Sequence, residues 1–365
     1  MNILNITTIT ELRGGDIQMH TIYGLLQEFH DLNQYILCPK DSDLFEIYGK
    51  NDPNFITYDK KDKIFSSIKT IIKTVKDKKI DVIHIHDSSA LTATLLASVF
   101  IPKTVKIILS RKRDKKIKKN FLGKIKYGSS RIEKVICVSN AVASIFEDVI
   151  TDPTKVITIY DAIDVSKFSN SESKGLIAKE LGFSSGTKII GNVVALENQK
   201  DLLTFVDTAE RIKEKNPNEK IQFVIVGGGS KKEEIESYIH SKNLADYVHL
   251  MGFRKNIKEL LPEFDMLVMT SISEGLPLSV YEAFASRIPV ISTKAGGIPE
   301  VVIEDETGFL AEIKDSKRLA EHINTMLRTP GLSEKITENA YKIVKERFDL
   351  PVLRDNYYQL YKSLG

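Results

Sequence analysis

The stretch that decides the fold is Glu274-Gly-Leu-Pro-Leu-Ser-Val-Tyr-Glu282, followed at once by Ile288-Pro-Val-Ile-Ser-Thr-Lys-Ala-Gly-Gly297. The first half opens a helix, and the second reads as a strand and a glycine loop. Pro277 suits the first turn of a helix, so the amides of roughly Leu278 to Val280 lack intrahelical partners and face outward at the positive end of the dipole. A phosphate would satisfy them. Glu274 precedes the helix and Glu282 lies about two turns into the segment, so one carboxylate reaches chemistry beside a diphosphate while the other grips a more distant polyol. A nucleotide-sugar has that layout.

Working outward, apolar strand-like runs alternate with longer segments of helical period, which argues for parallel sheets covered on both faces, an α/β class. Candidate strands begin near Ile3, Gln34, Asp81, Val105, Lys134 and Val156, and then run over Lys188–Val193, Ile221–Val226, Tyr247–Met251, Met266–Met269 and Pro289–Ser292. Both halves read as doubly wound. At 365 residues the chain exceeds what one core usually serves, so two domains are expected. Their division falls in Phe168–Thr187, a Ser-, Gly- and Lys-rich stretch read as a linker and hinge near 165–185, interrupted by a short helical pattern at Gly175–Leu181. The domains are 1–165, with a returning helix at 348–365, and 166–347. That last segment places Leu353, Tyr357, Leu360 and Tyr361 on one apolar helical face.

Composition excludes several classes. The N-terminus has no basic region followed by a long apolar run, and the longest apolar stretch, Leu91–Pro102, is too short to span a bilayer. Cys38 and Cys137 read as buried thiols of a reducing compartment. Residues 1–165 carry 25 Lys and Arg against 20 acids, and the remainder 27 against 29. The excess is concentrated in Arg111–Lys126, with nine basic residues, Asp114 alone opposing them, and Ile117, Phe121 and Ile125 at helical spacing. Such a segment suits an anionic membrane surface, with Lys112, Lys115, Lys116, Lys118 and Lys119 as contacts. It also suits a solvated loop. Nucleic acid is disfavoured because no aromatic stacking platform accompanies the charge.

The two glutamates, with the Gly252-Phe-Arg254 turn, the Ala295-Gly-Gly-Ile-Pro-Glu300 loop and Thr307-Gly-Phe-Leu310, resemble the retaining glycosyltransferases of the GT-B fold, specifically family four, the glycosyl transferases group 1. The resemblance spans nearly the whole chain and is tightest from Lys188 to Leu310. It implies two Rossmann-like domains facing a cleft, with the C-terminal helix crossing back to the first, acceptor-binding domain. The second domain would hold a nucleotide-diphosphate sugar, UDP- or GDP-linked, with no metal and no cofactor.

Residue by residue, the resemblance makes Glu274 the contact to the donor sugar and Glu282 the acceptor of hydrogen bonds from the ribose hydroxyls. Gly275, Leu278 and Ser279 would offer backbone amides around sugar and phosphate. Lys200 would neutralise the leaving diphosphate, and electrostatic stabilisation of developing charge is often the largest catalytic contribution. Gly227 and Gly228 would lie against the nucleotide, with Arg254 beside the base. The Gly14-Gly15 loop, and Gly15 in particular, would sit beside the donor phosphates or the acceptor. His86 would approach the donor sugar, while His84, on the same face of its strand, reads as a packed core residue. Ala195 stands where many relatives carry a phosphate-clamping arginine, and Arg111, Arg13 and Arg254 are candidate replacements.

In the family's usual mechanism the acceptor attacks from the leaving-group face and the phosphate takes the proton. The expectation is therefore transfer to a saccharide or polyprenyl-linked acceptor, in surface polysaccharide or lipopolysaccharide assembly, in the cytoplasm at the inner face of the membrane. Two rivals stand: a nucleotide-sugar epimerase or dehydrogenase, against which the absence of GxGxxG counts, and a non-catalytic sugar-nucleotide-binding subunit.

Overall fold

A computed structural model describes residues 1–59, 64–114, 117 and 121–365. By internal contact the chain divides into two compact units, Met1–Asp161 with Pro351–Gly365, and Ala162–Leu350.

The first unit is built on seven strands: β1 (Asn2–Ile6), β2 (Asn33–Pro39), β3 (Phe55–Tyr58), β4 (Val82–Ile85), β5 (Lys106–Arg111), β6 (Ile132–Cys137) and β7 (Val156–Thr158). They lie in the order β3-β2-β1-β4-β5-β6-β7, and every pairing is parallel. Residues such as Leu4, Ile6, Ile83, Ile85, Ile107 and Val135 are buried in one core with the helices 64–77 and 88–97. Strands covered on both faces need apolar residues at successive positions, which is why Val82–Ile85 is buried throughout. The sequence pattern missed β3, a four-residue edge strand whose residues are mostly half-buried and carry little alternation.

The second unit has six strands: β8 (Lys188–Val193), β9 (Ile221–Val226), β10 (Val248–Gly252), β11 (Met266–Met269), β12 (Val290–Thr293) and β13 (Gly308–Ala311). Their order is β10-β9-β8-β11-β12-β13, again parallel throughout. Here too the missed strand, β13, is a four-residue edge strand.

Residues 165–185, expected to form a linker and hinge, are instead tied into the second unit. The helix Leu176–Leu181 starts where both oxygens of the buried Glu263 carboxylate accept from the amides of Leu176 (2.6 Å) and Ile177 (2.8 Å). That carboxylate does the work of an N-cap, and Ile177 is fully buried. Composition rich in Ser, Gly and Lys does not reveal a capping group 86 residues away in sequence.

The C-terminal helix Leu350–Lys362 has the expected apolar face, with Leu353, Tyr357, Leu360 and Tyr361 buried. Residues 351–365 pack within the first unit, where Tyr358 stacks on Phe29 at 3.9 Å and Arg354 and Lys362 pair with Glu28 and Asp31. Burying each large apolar side chain stabilises this return by about 1.5–3 kcal/mol, well above what the exposed ion pairs contribute.

Candidate active site

In an open parallel sheet, ligands bind beyond the C-terminal strand edge where the strand order reverses. The first unit reverses between β1 and β4, and the second between β8 and β11. Nearly every residue singled out from sequence follows one of these four strands or their immediate neighbours.

At the second unit's reversal, Lys200 follows β8 and Glu274 follows β11. Lys200 Nζ lies 2.5 Å from the Glu274 carboxylate, with the two side chains only 16% and 9% exposed. The Ser271 hydroxyl donates to the same oxygen of Glu274 at 2.7 Å. The backbones are tied as well: the Thr270 hydroxyl donates to the Lys200 carbonyl, and the Ile272 amide to the Gln199 carbonyl at 2.8 Å. A lysine and a carboxylate are thus held at fixed separation by two loops.

The glycine loop after β12 closes over Glu274. Gly296 has φ +53°, and a Cβ there would stand 1.7 Å from the Glu274 carbonyl oxygen, so only glycine lets the two backbones meet. The Gly297 amide then donates to the Gly275 carbonyl at 3.1 Å. Gly227 plays the same part after β9, where φ is +155° and a Cβ would stand 1.7 Å from the Val194 carbonyl oxygen. The adjoining Gly228 has a Cβ position 3.4 Å from Phe253, whose ring is exposed.

The helix beyond Glu274 runs Leu278–Ala285, with Pro277 as an extended N-cap that makes no side-chain cap bond. Val280 donates to the Pro277 carbonyl, so the outward amides are those of Leu278 and Ser279, one fewer than the sequence suggests. Val280, Tyr281, Ala283 and Phe284 are buried, and Tyr281 stacks on Phe348 at 4.4 Å, which fixes the helix axis. Glu282 is carried on this rigid helix. Burial pushes its carboxyl up to about 7, and no side chain or amide donates to it among the described residues. A desolvated carboxylate without donors gains when a ligand supplies hydroxyls.

Arg254 is placed differently from its neighbours, since its guanidinium pairs with Glu180 on the helix 176–181. Ala195 lies exposed on the loop after β8, and the other two candidate replacements for its missing cation, Arg13 and Arg111, belong to the first unit.

At the first unit's reversal a cavity of about 740 Å³ opens, lined by Arg13, Gly14, Gly15, Asp16, His86, Asp87, Arg111, Lys112, Arg113 and Lys126 among others. The helix Gly14–Leu25 begins on it, held by Asp16, which accepts from the Arg13 amide and from the Thr7 hydroxyl. His84 is a core residue as expected, with Nδ1 at 2.7 Å from the Tyr361 hydroxyl and Nε2 at 2.8 Å from Ser110. His86 faces the cavity. The Asn5 amide donates to the Tyr35 carbonyl and offers its oxygen to His86 Nε2 at 3.1 Å, so Nε2 carries the proton. Nδ1 is then a bare acceptor, with no partner among the described residues. Burial, the His84 ring and Lys112 hold His86 neutral, and burial pushes His84 down to about 3. Among the described residues no group of three His, Cys, Asp or Glu side chains could hold a metal ion.

Of the five lysines expected at a membrane surface, one is described, and it is held within the first unit. Lys112 is 14% exposed and pairs with Asp161 at 2.6 Å, so its charge is engaged inside the unit. Ile117 is buried in the first core, and Phe121–Tyr127 is helical. Lys115, Lys116, Lys118 and Lys119 lie outside the described residues. No described helix is long and apolar enough to cross a membrane.

Two doubly wound units, each with polar side chains gathered at its strand-order reversal, define a two-domain α/β enzyme of the GT-B class. Residues 173–343 match the family of glycosyl transferases group 1, and residues 20–167 match glycosyltransferase family four; across both units the chain belongs to these glycosyltransferases. A curated relative from Escherichia coli, UDP-Gal:alpha-D-GlcNAc-diphosphoundecaprenol alpha-1,3-galactosyltransferase, is 28% identical over 73% of this chain and 70% of its own length. A 41.2 kDa protein in the cps region of Klebsiella pneumoniae is 25% identical over 100% of both chains. Among solved structures, Anabaena Alr3699/HepE in complex with UDP superposes with TM-score 0.86 over 100% of both chains at 19% identity, which shows a shared fold.

Proposed function

We propose that the chain is a retaining, metal-independent glycosyltransferase that takes a sugar from a nucleotide-diphosphate donor, UDP-linked in the first instance, to a saccharide or lipid-linked acceptor in surface polysaccharide assembly. The observation that carries this reading is the Lys200–Glu274 pair locked beside the two outward amides of the helix 278–285, with Glu282 about one turn further along. The amides of Leu278 and Ser279 suit the diphosphate. Lys200 has further N–H groups to give a phosphate while Glu274 holds it in place. Glu282 suits the ribose diol, and the exposed ring of Phe253 above the Gly227-Gly228 turn suits the base.

In the transfer step the C1–O bond to the diphosphate breaks with its electron pair going to the leaving oxygen. The acceptor hydroxyl bonds to C1 on the same face, and its proton passes to that phosphate oxygen. This needs no strong side-chain base, in keeping with two histidines held neutral. The donor of the E. coli relative supports the UDP assignment, and its acceptor supports a lipid-linked one.

The test is incubation with UDP- and GDP-sugars and a set of saccharide and prenyl-linked acceptors, with and without EDTA, and NMR of the product. Transfer with the donor's anomeric configuration preserved, indifferent to EDTA, is expected. An inverted product, or a rearranged or oxidised sugar formed without acceptor, would exclude this reading.

A further inference from the structure

The helices 64–77 and 88–97 cover the first sheet side by side, and their inward residues, Ile71, Val75, Ala90, Leu91 and Ala97, share its core. Their outward residues have no such cover. On the first helix Lys69, Lys73 and Lys76 are exposed at successive turns, so they form one stripe opposite Ile71 and Val75. On the second Leu96 is exposed, and the turn that follows presents Val99 and Phe100, 79% and 71% exposed.

That turn has a fixed backbone. The Ser98 amide donates to the Thr94 carbonyl at 2.8 Å and the Phe100 amide to the Ala97 carbonyl at 2.9 Å, while Ala97 and Ile101 on either side are buried. Arg131 donates to the carbonyls of Pro102 and Lys103, which pins the chain beyond. Two large apolar side chains are thus held out in water, against the ordinary gain from burial. The loop 78–81 lies alongside, since the Lys106 amide donates to the Asp81 carbonyl at 2.9 Å.

Charge on these elements has mostly one sign. Residues 64–81 and 88–105 hold Lys69, Lys73, Lys76, Lys78, Lys79 and Lys103 against Asp77 and Asp81. None of these lysines forms an ion pair among the described residues. Asp81 accepts from the Asn2 amide at 2.8 Å, and Lys78 is turned aside over the Tyr35 ring at 5.1 Å. An apolar tip beside unpaired lysines fits a bilayer with anionic headgroups, whose acyl chains take the former and whose phosphates face the latter. A second copy of this chain fits poorly, because an isologous pairing of this face sets lysine against lysine. Nucleic acid gains nothing from the aliphatic Leu96 and Val99, which offer no ring for a base to stack on.

We infer that this outer surface of the first unit docks on an anionic lipid bilayer, with Val99 and Phe100 entering the interface and Lys69, Lys73, Lys76 and Lys103 facing its headgroups. These are other lysines than those of the segment 111–126. The inference goes beyond the transfer reaction and needs neither donor nor acceptor.

The chain contains no tryptophan, so Phe100→Trp reports from one place. With phosphatidylcholine vesicles carrying about a third phosphatidylglycerol, the emission of this variant should shift to the blue and be quenched by brominated acyl chains. In co-sedimentation the wild type should bind these vesicles about tenfold or more tighter than pure phosphatidylcholine, and less tightly as salt is raised. Lys69→Gln, Lys73→Gln and Lys76→Gln should each weaken binding about fivefold, and Val99→Ser with Phe100→Ser about tenfold or more. Melting temperatures should not change, because all of these side chains are exposed. Unshifted emission, equal binding to neutral vesicles, or wild-type binding by the folded variants would overturn the inference. So would a lipid-free dimer, seen by sedimentation, that the double variant dissolves, since it would give this face to a second copy. No nucleotide enters these assays, so their failure leaves the donor reading as it stands.

Discussion

The two strand-order reversals are the same piece of architecture furnished in opposite ways. In the first unit the ends of β1, β4 and β5 surround a cavity with a cationic excess, and its carboxylates are engaged by neutral donors. In the second unit the ends of β8 and β11 hold one lysine locked to one glutamate, and a second glutamate stands without donors among the described residues. The fold chooses where a ligand binds, and only the side chains choose its charge. One reversal gathers cationic side chains around a cavity, and the other sets a lysine against one carboxylate beside a second, desolvated one.

The comparison breaks most severely at the locked pair. Lys200→Met should lower turnover of the nucleotide-sugar by about two to three orders of magnitude, as expected when a preorganised charge at a leaving group is removed. It should also destabilise the fold by roughly 3 kcal/mol, because Glu274 is left buried and unpaired. Turnover near wild type in a stably folded variant would mean that the pair is only structural.

Glu282 gives the next effect, and its sign can be worked out. Its carboxyl titrates near 7 in the folded chain against an ordinary value of 4.5, so the folded state holds the extra proton between those values. Stability should therefore fall as pH rises from about 4.5 to 7, by up to about 3 kcal/mol, and level off above. Glu282→Gln should flatten that part of the curve and raise the melting temperature at pH 8, while weakening nucleotide binding. Denaturant unfolding at pH 5 and pH 8 decides it; parallel curves for the two proteins would contradict the buried, donor-free setting.

Gly296→Ala sharpens the role of the loop, since φ +53° and the Glu274 carbonyl both oppose a Cβ. It should cost on the order of 2 kcal/mol in stability and loosen nucleotide binding. Binding and stability equal to wild type would show that the loop yields without disturbing Glu274. The smallest effect is a gain: Ala195→Arg, on an exposed loop, should tighten UDP binding about fivefold by adding one charge-assisted contact. No gain would mean that residue 195 does not face the phosphates.

Much of this was legible beforehand because it is local. Glycines before a helix, a Pro at a helix start and carboxylates at fixed spacing announce themselves within ten residues, and long buried parallel strands read as unbroken apolar runs. What stayed hidden depends on distant partners or on brevity. The edge strands β3 and β13 are too short to show a period. The capping of residues 176 and 177 by Glu263, and the pairing of Lys112 with Asp161, join residues far apart in sequence and change how two charged or polar stretches are read. The pairing of Arg254 with Glu180 likewise joins residues far apart in sequence.

The central claim is that the second reversal binds a nucleoside diphosphate without metal. Thermal unfolding of the wild type and of Glu282→Ala with UDP, GDP and ADP, with and without EDTA, addresses it directly. One nucleotide at 100 times its dissociation constant should stabilise the wild type by about 2.7 kcal/mol whether or not EDTA is present, and the variant far less. No shift with any of the three, a shift abolished by EDTA, or an equal shift in the variant would contradict the account.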